Sequence, residues 1–230
     1  SHINDAFIIA KNFDGVKEIN KLISISTYKD HYYYKPRISF DEFLNTSSNI
    51  ISISACMASP LNKLDKNNKY YNLLCKKYDY YEIQPHIVKE QIEYNKYLYE
   101  LSLEYNKPLI LGTDTHASSE YKSECRKIIK SAKHMEYDDE DKYDLSLKTY
   151  DELINMCENQ NCFNIDIYKE AINNTNIMAN TISDFEFDKS FKYPKLYTNE
   201  EKEFKDFVNK KWKEKSHLKK KKKIYLDRIH

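Results

Sequence analysis

Two apolar runs separated by one helix-length segment constrain this chain most. Tyr78-Asp79-Tyr80-Tyr81-Glu82-Ile83-Gln84 is rich in aromatics and reads as a strand that Pro85 ends. Val88, Ile92, Leu98, Leu101 and Tyr105 then recur near helical spacing, and Pro108 closes that helix just before Leu109-Ile110-Leu111. Strand, helix and strand make a βαβ unit, which crosses over right-handedly and sets its strands parallel. Asn49-Ile50-Ile51-Ser52-Ile53-Ser54 and Asp5-Ala6-Phe7-Ile8-Ile9-Ala10 read as further strands, so the fold class is α/β.

Leu109-Ile110-Leu111 stops at Gly112 and then presents Asp114-Thr115-His116. A carboxylate and an imidazole two residues apart on extended backbone share one side and suit a divalent metal; the plainer alternative is a turn carboxylate beside a surface histidine. In parallel α/β folds functional side chains gather where strands end. Cys56, Gln84 with His86, and Asp114 with His116 all stand at such ends, so three strands would deliver candidate ligands to one rim. Glu82 either points toward that site or pairs with a lysine or arginine, the latter being the expectation. His86, in a loop after Pro85, is expected to be exposed, with an approach to the site as the alternative. His31, His134 and His217 lie in polar surroundings and are expected to be solvated. Tyr32-Tyr33-Tyr34-Lys35-Pro36-Arg37 has the residue types that stack on bases and hold phosphate, although packing of the rings on the fold is the expected use.

Composition narrows the classes. With 37 basic against 36 acidic residues in 230, the total charge draws the chain neither to nucleic acid nor to membrane. Charge is local instead: Glu136, Asp138, Asp139, Glu140, Asp141 and Asp144 form an acidic stretch, and Lys210, Lys211, Lys213, Lys215 and Lys219, Lys220, Lys221, Lys222 and Lys223 a basic one. Both are expected to be solvated, the sharper alternative being that Lys219 through Lys223 lie against a nucleic-acid backbone. No apolar run is long enough to span a membrane and no signal peptide opens the sequence, so a cytoplasmic protein is expected. Five cysteines without a CxxC pair argue against a disulfide framework or a zinc ribbon; Cys75, Cys125, Cys157 and Cys162 read as small core or half-buried residues. Two glycines among abundant Lys, Asn, Ile and Tyr suggest an AT-rich coding sequence.

Beyond Asp114 the pattern is helical. Ser118 to Lys133 sets Cys125, Ile128 and Ile129 on one side. Thr149-Tyr150-Asp151-Glu152 has capping-box spacing, and a helix from about Tyr168 to Ile182 uses Ala171, Ile172, Ile177 and Met178. Thr198-Asn199-Glu200-Glu201 repeats the capping-box spacing before Phe204, Phe207, Val208 and Trp212, whose spacing predicts a buried stripe. Asp184 to Tyr197 reads as an extended connector. The expected division is a first domain over 1–190 and a connector leading to a further region over 191–230. The sequence starts without a methionine and stops within a helical pattern, so it is expected to be a segment of a longer protein.

The order Phe7-Ile8-Ile9-Ala10-Lys11-Asn12-Phe13-Asp14-Gly15, Tyr33-Tyr34-Lys35-Pro36-Arg37-Ile38, Ile53-Ser54-Ala55-Cys56, Tyr81-Glu82-Ile83-Gln84, Gly112-Thr113-Asp114-Thr115-His116 and Leu147-Lys148-Thr149-Tyr150-Asp151-Glu152-Leu153 resembles the PHP (polymerase and histidinol phosphatase) domain of bacterial and phage replicative DNA polymerase III alpha subunits. The later Ala171-Ile172-Asn173-Asn174-Thr175-Asn176-Ile177, Pro194-Lys195 and Tyr225-to-Ile229 stretches are similar to the region C-terminal to that domain, on the way to the polymerase palm, so the likeness covers nearly all of the chain. The resemblance implies a partial, distorted (β/α)7 barrel of parallel units with a helical extension after it, and metals at the C-terminal mouth of the strands. It implies zinc or manganese there, magnesium in a polymerase palm that this chain lacks, and DNA and replisome subunits such as the sliding clamp as partners. Asp114 and His116 match the family's last metal motif. Cys56 matches a ligand-like position, and Asp5 stands where a family histidine is common. The His-x-His motif that opens the family's site is absent, so a complete metal cluster is not expected from this chain alone. The implied function is part of a DNA-directed DNA polymerase, a nucleotidyltransferase, with a 3′–5′ exonuclease or phosphoesterase module. The alternatives are an inactive scaffold for the polymerase core and, with less support, a free-standing phosphatase.

Overall fold

Tyr81 lies opposite Leu109 and Ile83 opposite Leu111 in a parallel pair, β3 (Tyr81–Ile83) with β4 (Leu109–Leu111), joined by the seventeen-residue helix α5 (Lys89–Tyr105). The βαβ unit is as the sequence predicts. It belongs to a computed structural model that describes residues 6–134 and 143–215. Upstream, β1 (Phe7–Ala10) pairs with β2 (Ile50–Ile53) in antiparallel register, Phe7 opposite Ile53. This corrects the expectation of uniformly parallel strands. Two helices, α1 (Phe13–Ser26) and α2 (Phe40–Leu44), lie between β1 and β2, where a parallel pair such as β3 and β4 is joined by a single crossover helix.

Ile53 bridges to Tyr80 in parallel, and the Ser54 N–H donates to the Tyr80 carbonyl at 3.1 Å, so β2 runs on into β3. The neighbour order is therefore β1, β2, β3, β4. Among the described residues this is an open wall of mixed pairing within an α/β unit and not a closed barrel.

The strands alternate strictly. Tyr81, Ile83, Leu109 and Leu111 face the main core with Leu74 and Cys75 of α4 (Tyr71–Lys77), Leu98 and Leu101 of α5, and Tyr168 and Ala171 of α8 (Ile165–Ala179). On the other face Ile51, Ile53 and Ile110 gather with Met178. Each fully buried side chain of this kind contributes about 1.5–3 kcal/mol against exposure. Cys75 and Cys157 are core and Cys125 and Cys162 half-buried, as expected.

Thr149 and Glu152 form the expected capping box of α7 (Tyr150–Gln160), the Thr149 N–H donating to Glu152 Oε2 at 2.7 Å. Two helical expectations need correction. The N-cap of α9 (Glu200–Glu214) is Asn199 and not Thr198: its side-chain oxygen accepts from the Lys202 N–H at 3.1 Å. The α9 stripe is not buried, Phe204 being 67% and Phe207 59% exposed. A short α3 (Pro60–Lys63) precedes α4, and in α6 (Glu120–Ala132) no residue is buried, Ile128 being 70% exposed. Periodicity fixes which side chains share a face, but a face is buried only where another element covers it. By contacts the chain divides into Ser1–Glu186 and Phe187–His230, with α9 in the second unit. No helix among the described residues is long and apolar enough to cross a membrane.

Candidate functional site

β4 delivers Asp114 and His116 through a short loop. Asp114 adopts a left-handed backbone with φ 49°, a conformation in which aspartate is among the better tolerated residues, and His116 Nε2 lies 3.3 Å from Asp114 Oδ1. Both side chains are partly open to solvent. The His116 N–H donates to the Leu145 carbonyl at 2.8 Å and the Leu147 N–H to the Ala117 carbonyl at 2.8 Å, so residues 145–147 clamp the loop from a distant part of the chain.

β3 delivers Glu82 and His86. Glu82 points away from Tyr81 and Ile83, and its Oε1 accepts from Gln84 Nε2 at 2.8 Å. Among the described residues no lysine or arginine pairs with it, which corrects the expected role. Burial pushes its carboxyl up, and the nearby Asp114 charge pushes it the same way. Gly112 makes room for it: a Cβ there would sit 2.2 Å from Glu82 Oε1 and 2.5 Å from its Cδ. That glycine is required by close approach and not by its backbone angle.

His86 is buried at 3% exposure, against the expectation of an exposed loop residue. Its ring stands edge-on to Tyr143 at 5.0 Å. Burial pushes its pKa down, opposed by the charges of Asp114 and Asp144 and by a hydrogen bond with the Thr113 backbone. Its Nε2 is fully buried without a hydrogen-bond partner. Such an atom is costly unless something else occupies it.

A buried amide network holds the His86 loop still. Gln160 Nε2 donates to the carbonyls of Gln84 (2.8 Å) and His86 (2.6 Å). Asn95 Nδ2 donates to the Gln84 carbonyl at 2.7 Å and its Oδ1 accepts from the Gln84 N–H at 3.2 Å and from Gln91. Tyr168 closes the network by donating to Gln160 Oε1 at 2.5 Å. Helices α5 and α7 thus meet on two residues of one loop, with α8 bracing Gln160 through Tyr168.

Asp144 and Lys148 complete the surroundings, and nothing in their sequence context marks them for the site. Lys148 Nζ lies 2.5 Å from Asp144 Oδ2. Burial raises the Asp144 carboxyl, but Lys148 and Ser146 outweigh it and hold it at about 2.

Cys56 follows Ala55, which is buried with a left-handed φ of 61° at the end of β2. Its Sγ accepts from the Ala58 N–H at 3.5 Å. Among the described residues no three His, Cys, Asp or Glu side chains form a metal-sized group. The structure brings together Asp114 and His116, with Glu82 and His86 in electrostatic reach of Asp114, and does not gather Cys56 with them into one ligand set. Asp5 and Lys219 through Lys223 lie outside the described residues. His134 is exposed as expected, whereas His31 is held between Asp30 and Glu42.

Sequence comparison places the chain beside bacterial DNA polymerases. The particular relatives are DNA polymerase III alpha subunits, as the motif order implies. The chain is 36% identical over 118 residues to DNA polymerase III subunit alpha of Borreliella burgdorferi, a match covering 47% of this chain and 10% of that protein. It is 28% identical over 118 residues to the Aquifex aeolicus subunit, with the same coverage, and 28% identical over 143 residues to the PolC-type DNA polymerase III of Clostridium perfringens, 55% of this chain and 10% of that protein. The chain therefore spans about a tenth of the length of the curated relatives it matches. No protein-family model matches it.

Proposed function

We propose that this chain is a segment of a replicative DNA polymerase, with Ala6 to Glu186 forming part of a PHP-type barrel whose strand-end mouth binds divalent metal for phosphoester hydrolysis. The observation that carries the reading is the buried, partnerless Nε2 of His86 beside the Asp114–His116 pair and the Glu82 carboxylate. That donor chemistry fits zinc or manganese: an imidazole whose ring is oriented by a backbone hydrogen bond, and two carboxylates whose repulsion a cation relieves. Asp114 and His116 are the pair that would hold the metal, with the buried Nε2 of His86 and the Glu82 carboxylate as further candidates in electrostatic reach of Asp114. Further ligands would come from outside the described residues, where Asp5 lies, and Cys56 is the other candidate in this chain.

When bound, such ions acidify a water and neutralise charge developing on phosphate oxygens. The chain's own part is to orient. The amide network fixes His86, the 145–147 clamp fixes His116, and Gly112 lets Glu82 approach. In the complete protein the proposed activity is DNA-directed DNA synthesis in the cytoplasm, with magnesium in the palm and with DNA, the sliding clamp and other replisome subunits as partners. The PHP module would remove nucleotides from 3′ ends. Replacing Asp114 and His116 together by alanine in the complete polymerase should lower bound zinc or manganese in elemental analysis, and His86→Ala should do the same alone. Unchanged metal content in both variants overturns the reading.

The scaffold reading is favoured by one observation, the lack of a three-ligand group among the described residues. It predicts a complete polymerase without metal at this mouth and without 3′–5′ hydrolysis of labelled DNA.

A further inference from the structure

Tyr32, Tyr33 and Tyr34 do not pack on the fold. Tyr33 is 58% and Tyr34 81% exposed, and Tyr28 and Tyr32 beside them are more than half exposed as well. A soluble surface does not ordinarily gather so many open aromatic rings in one short stretch.

The loop is built and held. The Tyr33 N–H donates to the Lys35 carbonyl at 3.2 Å, which forces Tyr34 into a left-handed backbone with φ 59° and thrusts its ring outward. Tyr33 and Tyr34 meet edge-to-face at 4.6 Å, and the Arg37 guanidinium lies over the Tyr33 ring at 5.4 Å. Left-handed backbone at a bulky non-glycine residue is costly and is kept where a site needs it. At the base, His31 lies 3.2 Å from Asp30 and 2.8 Å from Glu42, so both of these carboxylates are engaged by a side chain of the protein itself. Lys29, Lys35 and Arg37 are the remaining charged groups of the loop, and all are basic.

We propose that Tyr33 and Tyr34, with Lys35 and Arg37, form a stacking platform for single-stranded nucleic acid. Rings supply faces for successive bases and the two cations reach the intervening phosphates, which is how sequence-tolerant single-strand binders work. The reading of the chain as part of a DNA polymerase serves here only to choose the polymer, and the platform needs no metal.

The test is fluorescence anisotropy of the whole chain with a labelled oligothymidine, in EDTA so that neither metal binding nor hydrolysis contributes. Tyr33→Ala/Tyr34→Ala should weaken binding by about fivefold or more, on the scale of losing one stacked base. Tyr33→Phe/Tyr34→Phe should restore it, and an abasic oligomer of equal length should bind both alanine variant and parent alike. Lys35→Ala/Arg37→Ala should instead flatten the salt dependence. Oligomers carrying 5-iodouracil should crosslink on irradiation to Tyr33 or Tyr34. Equal affinity of parent and alanine variant for oligothymidine, or crosslinks confined to other residues, overturns the proposal and leaves the rings as a docking surface for protein. Failure of the metal substitutions above leaves this result untouched.

Discussion

Helices α5 and α9 have similar lengths and each shows an apolar stripe in the sequence, but only one stripe is covered. In α5, Tyr94, Leu98 and Leu101 are buried, and so are Gln91 and Asn95, whose amides would be costly there without partners. They have partners because Gln91 donates to Asn95, Gln84 and Gln160 converge on Asn95, and Tyr168 braces Gln160 in turn. In α9, Phe204 and Phe207 stand open, and the helix carries local supports instead: the Asn199 cap, and ion pairs Lys205–Glu201 and Lys211–Glu214. Such exposed pairs are worth little each. A stripe of aromatic residues is thus a weaker sign of core than a stripe that contains amides with somewhere to go.

The largest expected effect tests the covered side of that contrast. Leu98→Ala removes a side chain with no exposed surface and should cost about 2–5 kcal/mol in urea unfolding. Phe204→Ala, a larger truncation, should stay within about 0.5 kcal/mol. Comparable losses from the two would break the comparison.

Gly112 sharpens it at the mouth, where close approach replaces apolar packing. Gly112→Ala sets a Cβ against the Glu82 side chain and should cost about 1–3 kcal/mol of stability, the range for overpacking. Glu82→Ala should recover most of that in the double variant, because the obstructing atoms belong to Glu82. A double-mutant cycle showing no coupling would place the strain elsewhere.

The features open to sequence reading were those with a local cause. The βαβ unit shows in the breaks at Pro85 and Pro108 around a helical repeat, the α7 start in Thr149 and Glu152, and the Asp114–His116 pair in its two-residue spacing. What stayed hidden depends on distant segments meeting. His86 read as a loop histidine because its burial is made by Gln160, seventy-four residues away, and by Tyr143. Asp144 looked like part of an acidic run, yet Lys148 and the pairing of 145–147 with the His116 loop bring it to the site. The antiparallel pairing of β1 with β2 goes with a connection through two helices, α1 and the short α2, and a five-residue helix leaves little periodicity to read. A signal for His86 did exist: Gln84 and His86 flank a proline directly after a strand, the position where such sites gather.

Capping offers a smaller test between the two units. Thr149→Ala removes the hydroxyl that accepts from the Glu152 N–H and the reciprocal bond of the box, and should cost about 1 kcal/mol in a helix docked on the core. Asn199→Ala removes an equally well-formed single cap from α9. If stability is carried by the covered helices, the second change should be read as lost helicity of the C-terminal segment by circular dichroism, with the main unfolding midpoint unmoved. A shift of that midpoint by Asn199→Ala equal to that of Thr149→Ala would show α9 to be coupled to the core.

The smallest expected effect is electrostatic and concerns Asp144, whose side chain is half-exposed where that of Lys148 is mostly covered. The carboxyl is held at about 2, below its ordinary value of 3.8, so its pairing stabilises the fold fully above pH 3.8 and the contribution is lost as pH falls through about 2. Lys148→Met removes the largest lowering influence and leaves only the Ser146 bonds, so this part of the pH dependence should shrink. Urea midpoints of parent and variant should therefore differ most near pH 5 and converge between pH 4 and pH 2, by a modest amount because solvent screens the carboxylate. A gap that stays constant across that window would mean that Lys148 supports the loop through packing of its stem and its bond to Ser146, and that Asp144 is merely near the site.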